Sequence, residues 1–497
     1  MSETTPETTP QTTPETTPQT TPETTPQTTS QIVAALSVAD LLQSCVIGCG
    51  QCGSRIAAFF DKTPTFLKHR SWQLYPVKCA AVDTDPGIET ELTRPPWNWQ
   101  EREDIHGIPL ASSESVFKRI FKTKAESKSY RNIQERMGMG QAGHFPYMGT
   151  IAAEERLRLE DQFGNDIRDR FVNRGFTRGL LLVANSLTGG TGTGFAPVIP
   201  KFFSTFWKDI RLAINLCIIP QMRDIDTREI FPGNIIYGLY QLSQNKKIDA
   251  VILADNDVLS SSYNCKGNPA YNSLLHEILA PFMLAPLGEY GCPDFGSTMD
   301  HADMRRVILP DRGFGVSELC ALSYAYKKPP RPLCLKLKSR KSRATYVQNW
   351  LHNLVDSAIC KTTVGITKAD SQGKLVGIKG ALGILSGPPY FFNKVLEGVE
   401  GYYSDMEDYI KFRVSPNFQL AFLQFPEMKQ VRLSLILSGI TSNKLESIYR
   451  EVVPPEKQHK DGSLMERIRQ LDPKTVEEIM IKEIREKLSK KMATDGK

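Results

Sequence analysis

Residues Ser186-Leu187-Thr188-Gly189-Gly190-Thr191-Gly192-Thr193-Gly194 decide the reading of this chain. An apolar run at 180–184 precedes them and has the composition of a buried strand. Phe195-Ala196-Pro197-Val198-Ile199 follows and opens a helix. Glycines interleaved with threonines make a poor core and a poor strand interior. They do let several backbone N–H groups converge on one point without Cβ obstruction. Placed before a helix N-terminus, such a nest binds phosphate. No lysine follows in the Walker A position, so the loop is not an ordinary P-loop.

The neighbouring segments repeat the strand-to-glycine-turn pattern. A short apolar strand at 44–48 feeds Gly48-Cys49-Gly50-Gln51-Cys52-Gly53, and a helix is expected at 54–60. Another strand at 77–82 ends in Asp83-Thr84-Asp85-Pro86, and further strands are expected at 212–220 and 250–254. Apolar β runs alternating with helix-length segments specify an α/β fold, a doubly wound parallel sheet. The apolar stretch 271–287 reads as a buried central helix. Strands at 315–326, 377–386, 419–425 and 431–439 then read as a second sheet in a second, smaller α/β domain.

Composition bounds the class. The chain has 497 residues, 40% hydrophobic and 23% charged, which suits a globular protein of two or three domains. A net charge of +6 is modest for that length and does not by itself point to nucleic acid. No apolar run is long enough to span a bilayer, and the N-terminus is polar, so a cytoplasmic protein is expected. Ten cysteines without small-domain disulfide spacing fit a reducing compartment. Cys49 and Cys52 form a C-x-x-C, but the glycines around them favour a phosphate-type turn over redox or zinc chemistry. Thr-Thr-Pro-Glu and Thr-Thr-Pro-Gln repeats over 4–29 read as a disordered tail. Residues 94–140, with Trp97 and Trp99, read as a polar insertion on the surface.

Gly48-x-Gly50-x-x-Gly53 also matches the dinucleotide fingerprint. A dehydrogenase has no use for a second glycine nest, whereas two such loops on adjacent strands fit the two ends of a polyphosphate. With these residues in view, the chain resembles the tubulin/FtsZ superfamily of GTPases from about 45 to 439, particularly its TubZ-type and other prokaryotic and phage members. Gly50-Gln51-Cys52-Gly53 repeats the tubulin first nucleotide loop, and Val82-Asp83-Thr84-Asp85 resembles the second. Gln141-Ala142-Gly143-His144-Phe145-Pro146, followed by Gly149 and Ala152-Ala153-Glu154-Glu155, resembles the third loop of FtsZ. The run from Thr188 to Gly194 is similar to the glycine signature, with Thr188 where the family usually has Gly. Ser297-Thr298-Met299-Asp300-His301-Ala302-Asp303-Met304-Arg305 resembles the segment carrying two catalytic carboxylates, with Thr298 in place of an Asn.

The resemblance implies GTP or GDP with Mg²⁺, and a role for each position. Gly50, Gln51 and Cys52 would touch phosphates, metal and base edge; Ala142 and Gly143 would face the γ-phosphate. Thr188, Gly189, Gly190, Thr191, Gly192, Thr193 and Gly194 would hold the α- and β-phosphates. Asp83 or Asp85 would hold a water of Mg²⁺, with Asp85 taken as the metal-side residue. Asp224 and Arg228 would lie by the ribose, Asn256 by guanine, and Asn272 or Ser273 would give a second base contact. Asp300 and Asp303, which otherwise read as helix caps, would enter the site of the next subunit and polarise the attacking water. His276 and His301 read as structural.

The implied domain plan is a tail at 1–31, a GTP-binding domain at 32–270, a central helix and loop at 271–299, an activation domain at 300–445 and a charged helical extension at 446–497. The implied activity is assembly-stimulated GTP hydrolysis in a head-to-tail filament, serving DNA or plasmid segregation or intracellular positioning. A division-ring role is the alternative within the class. An NAD-dependent oxidoreductase and a non-hydrolysing nucleotide-binding scaffold are the alternatives outside it. The basic run Lys327, Lys328, Arg331, Lys336, Lys338, Arg340, Lys341 and Arg343 reads as a solvated face or, less commonly, as a site for DNA or an adaptor. The C-terminal helix at 479–491 has the same two readings.

Overall fold

The computed structural model describes residues 43–62, 64–67, 77–85, 87–99, 102–107, 145–173, 178–207, 209–228, 230–287, 299–309, 318–331, 335, 339–365, 370–371, 373–396, 399 and 401–480. Among the described residues, ten strands carry the fold: β1 (Gln43–Cys49), β2 (Val77–Asp83), β3 (Ile105–Gly107), β4 (Arg178–Ser186), β5 (Asp209–Ile219), β6 (Ala250–Asp255), β7 (Glu318–Lys327), β8 (Gly380–Gly387), β9 (Phe418–Gln424) and β10 (Val431–Ser438). They form one sheet in the order β3-β2-β1-β4-β5-β6-β7-β10-β8-β9. Strands β1 to β6 pair in parallel. All of β6 and β5 from Leu212 to Ile219 are buried, because helices cover both faces of the sheet.

The helices used below are α1 (Gly50–Phe60), α2 (Pro146–Arg156), α3 (Gly190–Phe195), α4 (Met222–Thr227), α5 (Phe231–Gln244), α6 (Asn256–Ser262), α7 (Asn268–Leu284), α8 (His301–Ile308), α9 (Asn443–Val452) and α10 (Leu464–Arg469). Helices α1 and α7 share one face, where Ile56, Leu275 and Ile278 pack with Val46, Leu182, Ile214 and Ile252. On the other face, Ala152 of α2 and Phe195 of α3 cover β1 and β4. Helix α5 covers β5, β6 and β7 there through residues such as Ile235 and Leu239. The central helix expected at 271–287 is α7, extended by the 3-10 turn Ala285–Leu287.

Three expectations are corrected. The strands expected as a second sheet continue the first. Strand β7 joins β6 in parallel from Ala250–Glu318 to Leu253–Ala321. Strand β10 then inserts antiparallel between β7 and β8, and β9 ends the sheet parallel to β8. Second, the insertion at 94–140 is not a solvated excursion over its described part. Trp97 and Trp99 are 6% and 3% exposed, Trp97 packs edge-on against Phe59, and Ile105 adds β3 beside β2. The two indoles anchor the segment, while Arg94, Pro95, Pro96, Asn98, Arg102 and Glu103 stay exposed. Third, the glycine run does not merely precede a helix; its own residues from Gly190 onward are helical.

The charged extension folds back over its described part. Leu464, Met465, Ile468, Leu471, Val476 and Met480 are buried in one cluster with α5. Gln244 Nε2 at the end of α5 donates to the Arg469 carbonyl at 2.8 Å. In the basic run, Lys327 lies over the Trp350 ring and Arg343 donates to the Lys394 carbonyl. Lys336, Lys338, the tail at 1–31 and residues 481–497 lie outside the described residues. Among those described, no helix is long and apolar enough to cross a membrane.

Candidate functional site

The chain runs outward from β1 to β3, then returns to start β4 on the other side of β1. Open α/β sheets bind ligands outside the strand carboxyl ends at such a switch point. Here a cleft of about 340 Å³ occupies that place. Its walls are the first turn from Cys49 to Cys52, the second from Asp83 to Asp85, and the glycine segment (Ser186 and Thr188 to Gly192).

Close backbone approach explains the glycines. Gly50 has φ +69°, and a Cβ there would sit 2.7 Å from the Gly192 nitrogen. A Cβ on Gly192 would sit 2.7 Å from the Cys49 carbonyl oxygen. The two turns therefore touch through bare backbone and make one cradle. Gly189 is the extended N-cap of α3, with φ −79° and ψ 154°. The amides of the first helical turn have no intrahelical acceptor, so they remain available at the mouth of α3. Helix α2 presses on the outer side: a Cβ on Gly149 would lie 2.3 Å from the Gly190 carbonyl oxygen, and one on Gly194 2.4 Å from the Thr150 nitrogen.

Side chains brace this cradle from behind, and several of them were not identified from the sequence. Asn234 Nδ2 of α5 donates to the Thr188 carbonyl at 3.0 Å. Tyr237 OH donates to Thr150 Oγ1 at 3.0 Å, and Thr150 Oγ1 lies 3.3 Å from the Gly194 carbonyl. Thr193 Oγ1 donates to the Ser186 carbonyl at 2.8 Å. Thr193 and Gly194 thus support the cradle and do not line it. A polar Asn234 inside the apolar run 231–242 was the available signal.

The cleft has a distinct charge pattern. Among the described residues lining it, none is Lys or Arg. Asp83 is 5% exposed. Burial raises its carboxyl to about 6, opposed by the Asp85 amide and the Thr191 hydroxyl. Thr191 Oγ1 also lies 2.6 Å from Thr84 Oγ1. Asp85 is half-buried and accepts the Gly87 amide at 2.9 Å. Gln51 is held at the rim by Glu91, with Nε2 to Oε2 at 2.8 Å, and Arg55 pairs with the same carboxylate. Burial pushes the Cys52 thiol up to about 11 and the Cys49 thiol higher still. Both are protonated at neutral pH, which disfavours thiolate chemistry.

Other expected residues lie farther along the same carboxyl edge and do not line the cleft. Asp224, in α4, is half-exposed beside Arg223. Arg228 is exposed over the Phe231 ring. Asn256 starts α6 behind the Asp255 cap, and Asn272 is 5% exposed in the first turns of α7. Ala142 and Gly143 are outside the described residues.

Asp300 and Asp303 form a capping box: Asp300 Oδ1 accepts the Asp303 amide at 2.7 Å, and Asp303 Oδ2 accepts the Asp300 amide. Asp300 is exposed, and Asp303 pairs with Arg306. Arg305 anchors α8 to Asp249 at 2.8 Å. Asp249 immediately precedes β6, so α8 sits at the amino edge of the sheet. The cleft sits at the carboxyl edge. Six residues of β6 separate the two levels, or about 20 Å. His276 and His301 are buried, at 4% and 3% exposed, and burial lowers both to about 4, as structural histidines behave.

The Tubulin/FtsZ family, GTPase domain, matches residues 119–264. Cell division protein FtsZ 1 of Halobacterium salinarum is 30% identical over 160 residues, which is 32% of this chain and 35% of that protein. The chain thus spans about a third of the length of the curated relatives it matches. Among solved structures, CetZ1 from Haloferax volcanii, a GDP-bound monomer, is 17% identical, with TM-score 0.55 over 82% of this chain and 98% of that one. CetZ2 from Haloferax volcanii, a GTPγS-bound protofilament, matches with TM-score 0.55 at 17% identity over 82% and 97%. CetZ from Methanosaeta thermophila matches with TM-score 0.54 at 16% identity over 91% and 95%. These likenesses are likenesses of fold.

Proposed function

We propose that this chain, a member of the tubulin/FtsZ superfamily, binds GTP and GDP in the β1–β4 cleft, assembles head to tail, and hydrolyses GTP at the junction between subunits. One observation carries the reading: the anion cradle and the Asp300–Asp303 pair occupy opposite edges of one sheet. A single chain cannot bring them together, but a second copy stacked on the carboxyl edge presents its carboxylates to the first copy's cleft. Such a heterologous contact, repeated, gives a filament.

The first-turn amides of Gly190 to Gly192 and the hydroxyls of Thr188 and Thr191 receive the α- and β-phosphates. Ala142 and Gly143 supply amides to the γ-phosphate. A cleft with no Lys or Arg among its described lining residues needs another source of positive charge for a triphosphate. The donor set fits Mg²⁺, which favours a few carboxylates with phosphate oxygens and water. Asp83 and Asp85 are the residues that would hold it, and it would neutralise charge on the leaving phosphate oxygens. Asp224 and Arg228 serve the ribose side; Asn256 and Asn272 serve the base. Asp300 and Asp303 of the stacked copy orient the attacking water, whose oxygen bonds to the γ-phosphorus as the bond to the β-phosphate oxygen breaks. The products are GDP and inorganic phosphate.

Intracellular positioning or DNA segregation is the cellular role we assign to such a polymer. Sedimentation and phosphate release with GTP, GDP and NAD test the reading. GTP-dependent pelleting with phosphate release is expected. Retention of NAD without a polymer overturns it, and pelleting without phosphate release leaves only a nucleotide-binding scaffold.

A further inference from the structure

Lys444 lies far from the cleft in sequence, in the first turn of α9, behind the N-cap Ser442. Its side chain is 13% exposed. The ammonium has three donors, and all three are used. Nζ donates to the Pro220 carbonyl at 2.7 Å, to Asp255 Oδ1 at 3.0 Å and to Asp257 Oδ2 at 2.8 Å. These acceptors belong to two different loops at the carboxyl edge. Pro220 follows β5 and leads into Asp224 and Arg228. Asp255 and Asp257 flank Asn256.

The same carboxylates hold the loops in register with each other. Asp257 Oδ2 also accepts the Met222 amide at 2.8 Å, and Asp255 Oδ1 accepts the Asp257 amide at 2.9 Å. Pro220 in turn sits close to the glycine segment, because the Leu187 amide donates to the Ile218 carbonyl of β5, two residues before Pro220. Without Lys444, two carboxylates two residues apart, one of them nearly buried, face each other with no cation between them. Like charges at that spacing separate, and Asn256 lies between them.

We infer that Lys444 is a positioning residue that sets the base and ribose side of the nucleotide site from the C-terminal part of the chain. The inference rests on the proposed nucleotide reading and adds to it a part of the site contributed from outside the strands that form the cleft. Lys444 touches no nucleotide. It fixes where Asn256, Asp224 and Arg228 stand.

The test compares wild type with Lys444→Met in the full chain, using GDP and tripolyphosphate as probes in equilibrium titrations. Loss of a buried charge-assisted contact is worth roughly a 10- to 100-fold change in an equilibrium constant. GDP affinity should fall by that factor, while tripolyphosphate, which makes no base or ribose contact, should bind as it does to wild type. Equal losses for both probes would reduce Lys444 to a general structural role and overturn the inference. Unchanged GDP affinity would overturn it as well. Asp257→Asn, which keeps Lys444 paired with Asp255 and Pro220, serves if the first variant does not fold; it should weaken GDP by a smaller factor and again spare tripolyphosphate. If wild type itself binds no GDP, the nucleotide reading falls first, and that result is distinct from failure of the variant alone.

Discussion

Replacing Asp300 by Ala removes one carboxylate from the amino edge and leaves the cleft untouched. Within a single chain that carboxylate is about 20 Å from the cleft, so its Coulomb effect there is about 0.2 kcal/mol at the dielectric of water. That is less than a twofold change in rate. Seated against the attacking water in a stacked pair, a charged or hydrogen-bonding group of this kind is worth about 3–4 kcal/mol, or ~10²–10³ in turnover. The two arrangements therefore differ by orders of magnitude. Asp300→Ala should bind GDP with wild-type affinity, lose ~10²-fold or more in phosphate release, and leave filaments that disassemble slowly. Phosphate release per chain, followed across a dilution series, gives the second readout: the wild-type rate should collapse below the assembly threshold. The argument is refuted if Asp300→Ala turns over normally, or if dilute monomer hydrolyses as fast as polymer.

Two further outcomes follow from the geometry. Gly50→Ala places a Cβ at φ +69° and 2.7 Å from the Gly192 nitrogen; urea unfolding should show a loss of about 2–4 kcal/mol, and a change under 0.5 would mean the two turns do not touch. His276 stays neutral in the fold down to about pH 4, whereas the unfolded residue takes its proton near 6.5. Its contribution is whole above 6.5 and drains as the pH falls toward 4, by up to about 3 kcal/mol. His276→Leu should therefore flatten the stability curve between those values, and an unchanged acid slope would show that this ring is not the group responsible.

The sequence made the cradle legible because glycines interleaved with threonines from Gly189 to Gly194 suit neither a core nor a strand interior, and Gly192 and Gly194 do meet neighbouring backbone closely. Asp83 and Asp85 were legible for the same local reason, at the end of an apolar strand. What was not legible depended on distant partners. Thr188 is braced by Asn234 and Thr150 by Tyr237, contacts separated by 46 and 87 residues. The insertion of β10 between β7 and β8 depends on pairing that no local periodicity records, so one sheet read as two. Glycine's low helix propensity hid the start of α3, which tertiary contact with Gly149 and Thr150 overrides. Trp97 and Trp99 went the same way: their polar neighbours set the average, while the indoles set the burial.

A cleft with no Lys or Arg among its described lining residues receives little long-range pull from those residues. Ionic strength, which weakens steering by lysine- or arginine-lined clefts, has little to screen among those residues. On the proposed nucleotide reading, recognition waits for contact, and contact rewards the number and spacing of phosphate oxygens.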